Sequence, residues 1–351
     1  MLKPPDTAED EWRLMRVAII GCGNIAQVHA KALSQIDSVQ IVSFADCKKE
    51  KAEKMSSSYT NNSASAYEDY AEMLKKETPD VVHICTPHYL HVPMAIEALK
   101  CGASVFMEKP PGISLKEFES LQAVADSSNA SLGFCFQNRY NATTLELDRI
   151  VNGREMGEVI GVRGFVTWRR DAGYYSDDWH GSLEKEGGGA LINQSIHTLD
   201  LMLRYLGKPV KIAASMQNHH LRDVIEVEDT IEAWMEFEGG KRASFYATNA
   251  YAGDAPVILE ISFEKGRATM IDKAIQTKKD GEDMKTFICE EKNDSGGKAY
   301  WGKGHLSCIK DFYECIEKGL PFQNDIHGVK NTFETTMNIY EDARRREREE
   351  K

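Results

Sequence analysis

The chain has 351 residues, 42% of them hydrophobic and 28% charged, and a formal net charge of -12. That length exceeds one ordinary core and predicts two domains of a soluble globular protein, excluding fibre and wholesale disorder. The acidic balance argues against a nucleic-acid partner, since phosphate binding needs a concentrated basic surface, and apolar runs as short as VAII and PVILEI predict no membrane span.

In chain order, residues 1–15 read as a loose extension, with acidic residues where a signal peptide needs an apolar core. The eight cysteines form no CxxC pair, which predicts free thiols in a reduced, cytoplasmic setting. Residues 16–137 alternate nearly continuous apolar runs (RVAII, VQIVSFA, DVVHIC, SVFM, SLGFCF) with amphipathic segments (IAQVHAKALSQI, KKEKAEKMSSS, YEDYAEMLKKE, VPMAIEALKCG, SLKEFESLQAVADS). That alternation predicts a doubly wound parallel sheet. From 138 to 351 the texture changes to half-wet antiparallel strands in GEVIGVRGFVTW, DTIEAWMEFEGGKRASFYATN and PVILEISFEKGRATMI. Helices are expected over 191–205, 305–318 and 328–345.

VAIIGCGNIAQVHAKAL places Gly21, Gly23 and Ala26 as G-x-G-x-x-A between the first strand and the first helix. Glycines there permit a tight turn and close approach of a pyrophosphate to the helix N-terminus, at Asn24 and Ile25. Taken alone the motif also fits a plain strand-to-helix turn. The second strand ends in Asp46, about 20 residues on, where a carboxylate binds the adenosine ribose and disfavours the extra phosphate of NADP. NAD is therefore the expected cofactor and NADP the less favoured one, Lys48 and Lys49 being the groups that would receive that phosphate. Capping of the following helix is the other reading of Asp46.

Further along lie CTPHYLH (85–91), MEKPPG (107–112) and GGGALINQSIHTLDL (187–201). Together with the glycine loop, these motifs closely resemble the Gfo/Idh/MocA family of oxidoreductases. The resemblance implies an N-terminal Rossmann domain and a C-terminal α+β domain with an open, mainly antiparallel sheet. It also implies an active-site lysine at Lys109, preceded by Glu108, beside the nicotinamide. Thr86, Pro87, His88 and His91 would line the nicotinamide ribose, although the family more often has asparagine at position 88. The family's aspartate and histidine one helical turn apart correspond to Asn193 and His197.

Positions four apart share a helix face, so the Asn193 amide and the His197 imidazole can address one substrate. His197 suits the general acid/base of an alcohol oxidation, Lys109 the stabilisation of developing alkoxide, and Asn193 the positioning of a hydroxyl. The three glycines, 187–189, are expected to let the chain pass close to substrate and cofactor and to leave the helix-start amides unobstructed. The loop WRRDAGYYSDDWHG (168–181), with Trp168, Arg169 and Trp179, mixes aromatic and polar groups suited to sugar rings. Arg139 and Tyr140 are further candidates for substrate contact. No metal is expected, because His83, His88 and His91 lack an acidic or thiol ligand at metal-site spacing.

These expectations converge on an NAD-dependent dehydrogenase of a sugar, cyclitol or sugar derivative. A non-catalytic NAD- or sugar-sensing regulator, and an enzyme that retains NAD for transient oxidation, are the alternative readings. The family resemblance further implies a homodimer or homotetramer.

Overall fold

The computed structural model describes residues 13–289 and 304–349, so most of the expected extension lies outside the described residues. Strands β1 (Met15–Ile20), β2 (Val39–Ala45), β3 (Ser65–Tyr67), β4 (Val81–Ile84), β5 (Ser104–Met107) and β6 (Leu132–Phe134) form a parallel sheet ordered β3-β2-β1-β4-β5-β6. Helices α1 (Asn24–Leu33), α2 (Lys49–Thr60), α3 (Tyr70–Glu77), α4 (His88–Lys100) and α5 (Leu115–Ser127) supply the crossovers. Cover on both faces explains why every residue of β4 is buried and why such strands read as unbroken apolar runs. The strand order reverses between β1 and β4, and the carboxyl ends of these strands border a crevice.

A turn at Gln137–Tyr140 and helix α6 (Ala142–Gly153) lead into the second sheet. Its strands are β7 (Val159–Thr167), β8 (Pro209–Gln217), β9 (Thr230–Phe237), β10 (Arg242–Thr248), β11 (Ile258–Phe263), β12 (Gly266–Ile271), β13 (Ala274–Lys279) and β14 (Lys285–Ile288). They are ordered β14-β13-β12-β11-β7-β10-β9-β8. Only β7 and β10 pair in parallel; the other neighbours are antiparallel. Between β7 and β8 come the short helix α7 (Leu183–Glu186), a π-helical turn (Ala190–Ser195) and α8 (Ile196–Leu206). Helices α9 (Gly304–Lys318) and α10 (Lys330–Glu349) close the described chain. Helices α8 and α10 pack on β7 and β8 respectively and cover one face of this sheet.

One expectation about organisation changes. Residues 138–351 were expected to form a single second unit, yet α9 returns to the first sheet. Cys308, Ile309, Phe312 and Tyr313 share a core with Val17, Phe44 and Phe106. The Phe312 ring lies 5.1 Å from Phe106. Each such buried aromatic contributes about 2–3 kcal/mol of apolar transfer, enough to bind α9 to that sheet.

Between that sheet and α9 runs a buried polar chain. His29 Nε2 meets Glu108 Oε1 at 2.9 Å, His29 Nδ1 meets His83 Nδ1 at 2.8 Å, and His83 Nε2 meets the Tyr313 hydroxyl at 2.9 Å. One proton on each imidazole satisfies the whole chain. Burial pushes the His83 pKa well below its usual value, and burial lowers that of His305 nearby from 6.5 to about 4. The unfolded chain therefore binds protons that the folded core refuses, and stability falls as the pH drops from about 6.5 toward 4. The melting temperature should decrease between about pH 7 and pH 5, and His305→Asn should flatten that decrease in differential scanning fluorimetry. A slope identical to the wild type would contradict the assignment.

Candidate active site

Gly21 has φ +85°, and a Cβ there would stand 2.7 Å from the Cys85 carbonyl oxygen, so only glycine lets the loops after β1 and β4 meet. A Cβ on Gly23 would meet nothing within 4 Å, because it faces open space before α1. No side chain caps that helix start, so the amides around Asn24 and Ile25 face the same space. Asp46 accepts hydrogen bonds from Cys22 N (2.8 Å) and Lys48 N (2.9 Å), which anchors the glycine loop and opens α2. Cys47 Sγ approaches Oδ1 at 3.8 Å, and since a carboxylate has about four lone-pair sites, capacity remains for a ribose hydroxyl. Thr86 Oγ1 is buried without a hydrogen-bond partner beside this loop, next to Pro87 at the start of α4. An open cradle, an uncapped helix start and an orphaned hydroxyl fit the pyrophosphate and ribose of a dinucleotide.

Three residues expected to contact the cofactor do other work. His91 is fully buried, and its ring nitrogens face the Pro110 and Thr86 carbonyls, each at 2.9 Å, so it ties the loops after β4 and β5 together from beneath. His88 places Nδ1 2.9 Å from the Glu186 carbonyl and packs on Trp179, joining α4 to the second half of the chain. Glu108 points into the buried histidine chain, where burial opposes ionisation but His29 holds its carboxyl well below the usual range. His83 belongs to that chain and not with His88 and His91. The described residues that bring metal-ligand atoms within 4.8 Å of one another are instead His29, Glu108 and Cys135, all buried.

Lys109, which follows Glu108, reaches across the crevice. Its Nζ donates to Asn193 O at 2.8 Å and to Asn193 Oδ1 at 2.9 Å. His197 lies one turn farther along, edge-on to Phe136, with Nε2 3.3 Å from the Gln137 amide nitrogen. Its Nδ1 is buried and has no partner, so that atom is left for a ligand. Removal from water, and then the Lys109 charge, lower the His197 pKa to about 3, leaving the ring neutral at physiological pH.

The glycine run serves a different purpose from the one expected. A Cβ on Gly188 would collide with the Tyr340 hydroxyl, and one on Gly189 with the Glu228 carbonyl. The helix-start amides are not left open: Glu228, buried before β9, accepts from Gly189 N (2.8 Å), Leu191 N (3.0 Å) and the Tyr340 hydroxyl (2.7 Å). The helix expected over 191–205 begins as a π turn because Ser195 Oγ bonds the Ala190 and Leu191 carbonyls (2.6 and 3.2 Å). Such turns often mark functional sites.

Two family models match the chain. Residues 15–135 match an oxidoreductase family with an NAD-binding Rossmann fold, and residues 144–269 match the GFO/IDH/MocA C-terminal domain. The chain belongs to the Gfo/Idh/MocA oxidoreductase family.

Among similar proteins is a D-glucoside 3-dehydrogenase of Escherichia coli (strain K12), 28% identical, with 77% of this chain and 81% of that one aligned. A scyllo-inositol 2-dehydrogenase (NAD(+)) of Bacillus subtilis (strain 168) is 26% identical over 68% and 69% of the two chains. The solved structure of a WlbA dehydrogenase from Chromobacterium violaceum, in complex with NADH and UDP-GlcNAcA, superposes with a TM-score of 0.83 at 26% identity, covering 98% of this chain and 97% of that one.

Within this Gfo/Idh/MocA chain, two expected substrate residues are corrected. Arg139 is buried and its guanidinium is committed to Asp200 (Nε to Oδ2 2.8 Å) and Asn324 (3.0 Å), so it braces the junction of β6, α8 and the chain before α10. The Tyr140 hydroxyl donates to Asp311 of α9 at 2.6 Å. Trp168 is buried with its indole on the Ala255 carbonyl, whereas Arg169 is exposed and held through its backbone to Asp254. Trp179, against His88, borders the crevice. Two contributors were missed, Glu186 and Tyr174: the Glu186 carboxyl accepts from Asn193 Nδ2, and the Tyr174 hydroxyl from Gln194 Nε2 at 3.1 Å. The only signal for Glu186 was its place directly before the glycines.

Asp46→Ala removes the carboxylate expected to meet the cofactor ribose. It should weaken NAD binding by roughly 10- to 100-fold and narrow the preference over NADP, as read by calorimetric titration with each nucleotide. Equal NAD affinity in variant and wild type would remove Asp46 from the cofactor site.

Proposed function

We propose that this NAD-dependent oxidoreductase oxidises a secondary alcohol of a sugar, cyclitol or sugar derivative. The observation that carries the reading is the convergence of Lys109 from the first sheet with Asn193 and His197 from the helix of the second. An acid/base group, a fixed cation and a hydrogen-bonding amide at the mouth of a dinucleotide crevice are the components of alcohol oxidation. Relatives named for glucosides and inositol support a polyhydroxylated ring as substrate, and Trp179 and Tyr174 offer aromatic faces and a hydroxyl for such a ring.

NAD, when bound, supplies the acceptor for the hydride that leaves the alcohol carbon. The Lys109 ammonium stabilises negative charge developing on the hydroxyl oxygen, which makes its proton easier to remove. His197 receives that proton at Nδ1, the atom without a protein partner, once the Gln137 amide is turned so that its oxygen, in place of the nitrogen 3.3 Å away, accepts from Nε2–H. Asn193 holds Lys109 in place through two acceptors and so fixes the distance between cation and base. Thr86, Pro87 and the loop after Gly21 hold the cofactor, while Trp168 and Arg169 support the loop that carries Trp179.

For assembly, we assign a homodimer or homotetramer formed through the uncovered face of the second sheet. Phe165, Trp234, Tyr246 and Ile258 project there, each partly exposed. No helix among the described residues is long and apolar enough to cross a membrane, and all eight cysteines are free thiols, which supports a cytoplasmic setting.

Turnover is tested by following reduced nicotinamide with NAD and NADP against sugars, cyclitols, sugar acids and nucleotide sugars. Lys109→Ala and His197→Ala should each lower kcat by about 100-fold or more while the Kd for NAD changes only a few-fold. Near wild-type rates in both variants would show the roles to be wrong.

A further inference from the structure

Asn193, which holds Lys109 Nζ through two acceptors, is an amide and carries no charge of its own. A carboxyl group lies one hydrogen bond behind it. Glu186, at the end of α7, is 0% exposed and accepts from Asn193 Nδ2 and from Gly181 N, while the other end of the Asn193 amide accepts from Lys109 Nζ. An amide has one donor end and one acceptor end. With the carboxyl on one side and the ammonium on the other, only one orientation of Asn193 satisfies both.

We propose that Glu186 is the positioning residue of this active site: it aims the Asn193 oxygen at Lys109 and supplies, through that amide, the negative charge that Asn193 lacks. The inference deepens the dehydrogenase reading and rests on it for its catalytic meaning. A structural helix cap would explain the Gly181 contact alone, but the Asn193 contact turns away from the helix and toward the cation.

The groups facing Glu186 set when that charge is present. Glu228, Tyr175, Tyr340 and Lys109 act on it through charge, the Tyr174 hydroxyl faces the Asn193 Nδ2 that it accepts from, and His88 faces its carbonyl. Burial raises its pKa from 4.5 to about 8, opposed by the Gly181 and Asn193 donors and by Lys109. The carboxyl therefore gains its charge as the pH rises through the neutral range, and the hold on Lys109 strengthens with it.

The test measures the pKa of Lys109 directly, through the pH dependence of its acylation by acetic anhydride, traced on the Lys109 peptide by mass spectrometry. Glu186→Gln, which keeps the shape and removes the charge, should lower the Lys109 pKa by roughly one unit, and adding Asn193→Asp should restore it. On a sugar oxidised by the wild type, Glu186→Gln should lower kcat about tenfold with little change in the KM for NAD, and remove the rise of kcat near about pH 8. Should Glu186→Gln not fold, Glu186→Asp, whose charge sits one methylene farther back, should give a smaller fall in the Lys109 pKa. An unchanged Lys109 pKa in a folded variant overturns the proposal. If the wild type oxidises no compound of the panel, the dehydrogenase reading fails while the acylation result still decides the role of Glu186.

Discussion

A single buried carboxylate, Glu228, fixes the geometry on which the candidate site depends. Its two oxygens bond Gly189 N, Leu191 N and the Tyr340 hydroxyl, so the start of the helical segment that carries Asn193 and His197 is tied at once to the second sheet and to α10. Burial raises its pKa, and the donors around it oppose that rise. Because the π turn begins at this point, the azimuth of Asn193 and His197 follows from it. Glycines at 188 and 189 are then a packing necessity, since any side chain would strike Tyr340 or Glu228.

From that anchor the two halves of the candidate site meet at one cation, Lys109. Lys109 is held from below by the loop that His91 clamps and from across by Asn193, so neither half completes the site alone. The polarity of the surroundings is graded. Beneath the first sheet a closed chain of histidines and Glu108 is fully satisfied and dry, whereas at the crevice Thr86 Oγ1 and His197 Nδ1 are left unsatisfied. Unmet hydrogen-bonding capacity is costly unless a ligand meets it, and two of the atoms that carry it, Thr86 Oγ1 and His197 Nδ1, lie where the motifs converge.

What the sequence disclosed followed the range of the interactions. β1, β2 and β5 were legible because burial on both faces leaves an apolar run, and the glycine loop was legible because its chemistry is local. Strand β3 has three residues at a sheet edge, β8 buries only Ala214 fully, and α6 buries little beyond Thr143, Thr144 and Leu147, so none carried a clear period. Lys109, Asn193 and His197 were found through motifs. Arg139 was misread because its partner Asp200 lies 61 residues away, and Glu228 was missed because the amides it caps lie 37 and 39 residues earlier. A sequence names the groups able to form such bonds but not the partners that the fold selects.

Helix α9 has a consequence for how the chain is made. Phe312 and Tyr313 fill the core beneath β1, β4 and β5, yet they are synthesised after the whole of the second sheet. The nucleotide-binding half thus leaves the ribosome with part of one face of its sheet uncovered beside α1, and it waits through about half the chain for that cover. During that interval Phe106 and His83, which pack against Phe312 and Tyr313 in the finished fold, lack that cover.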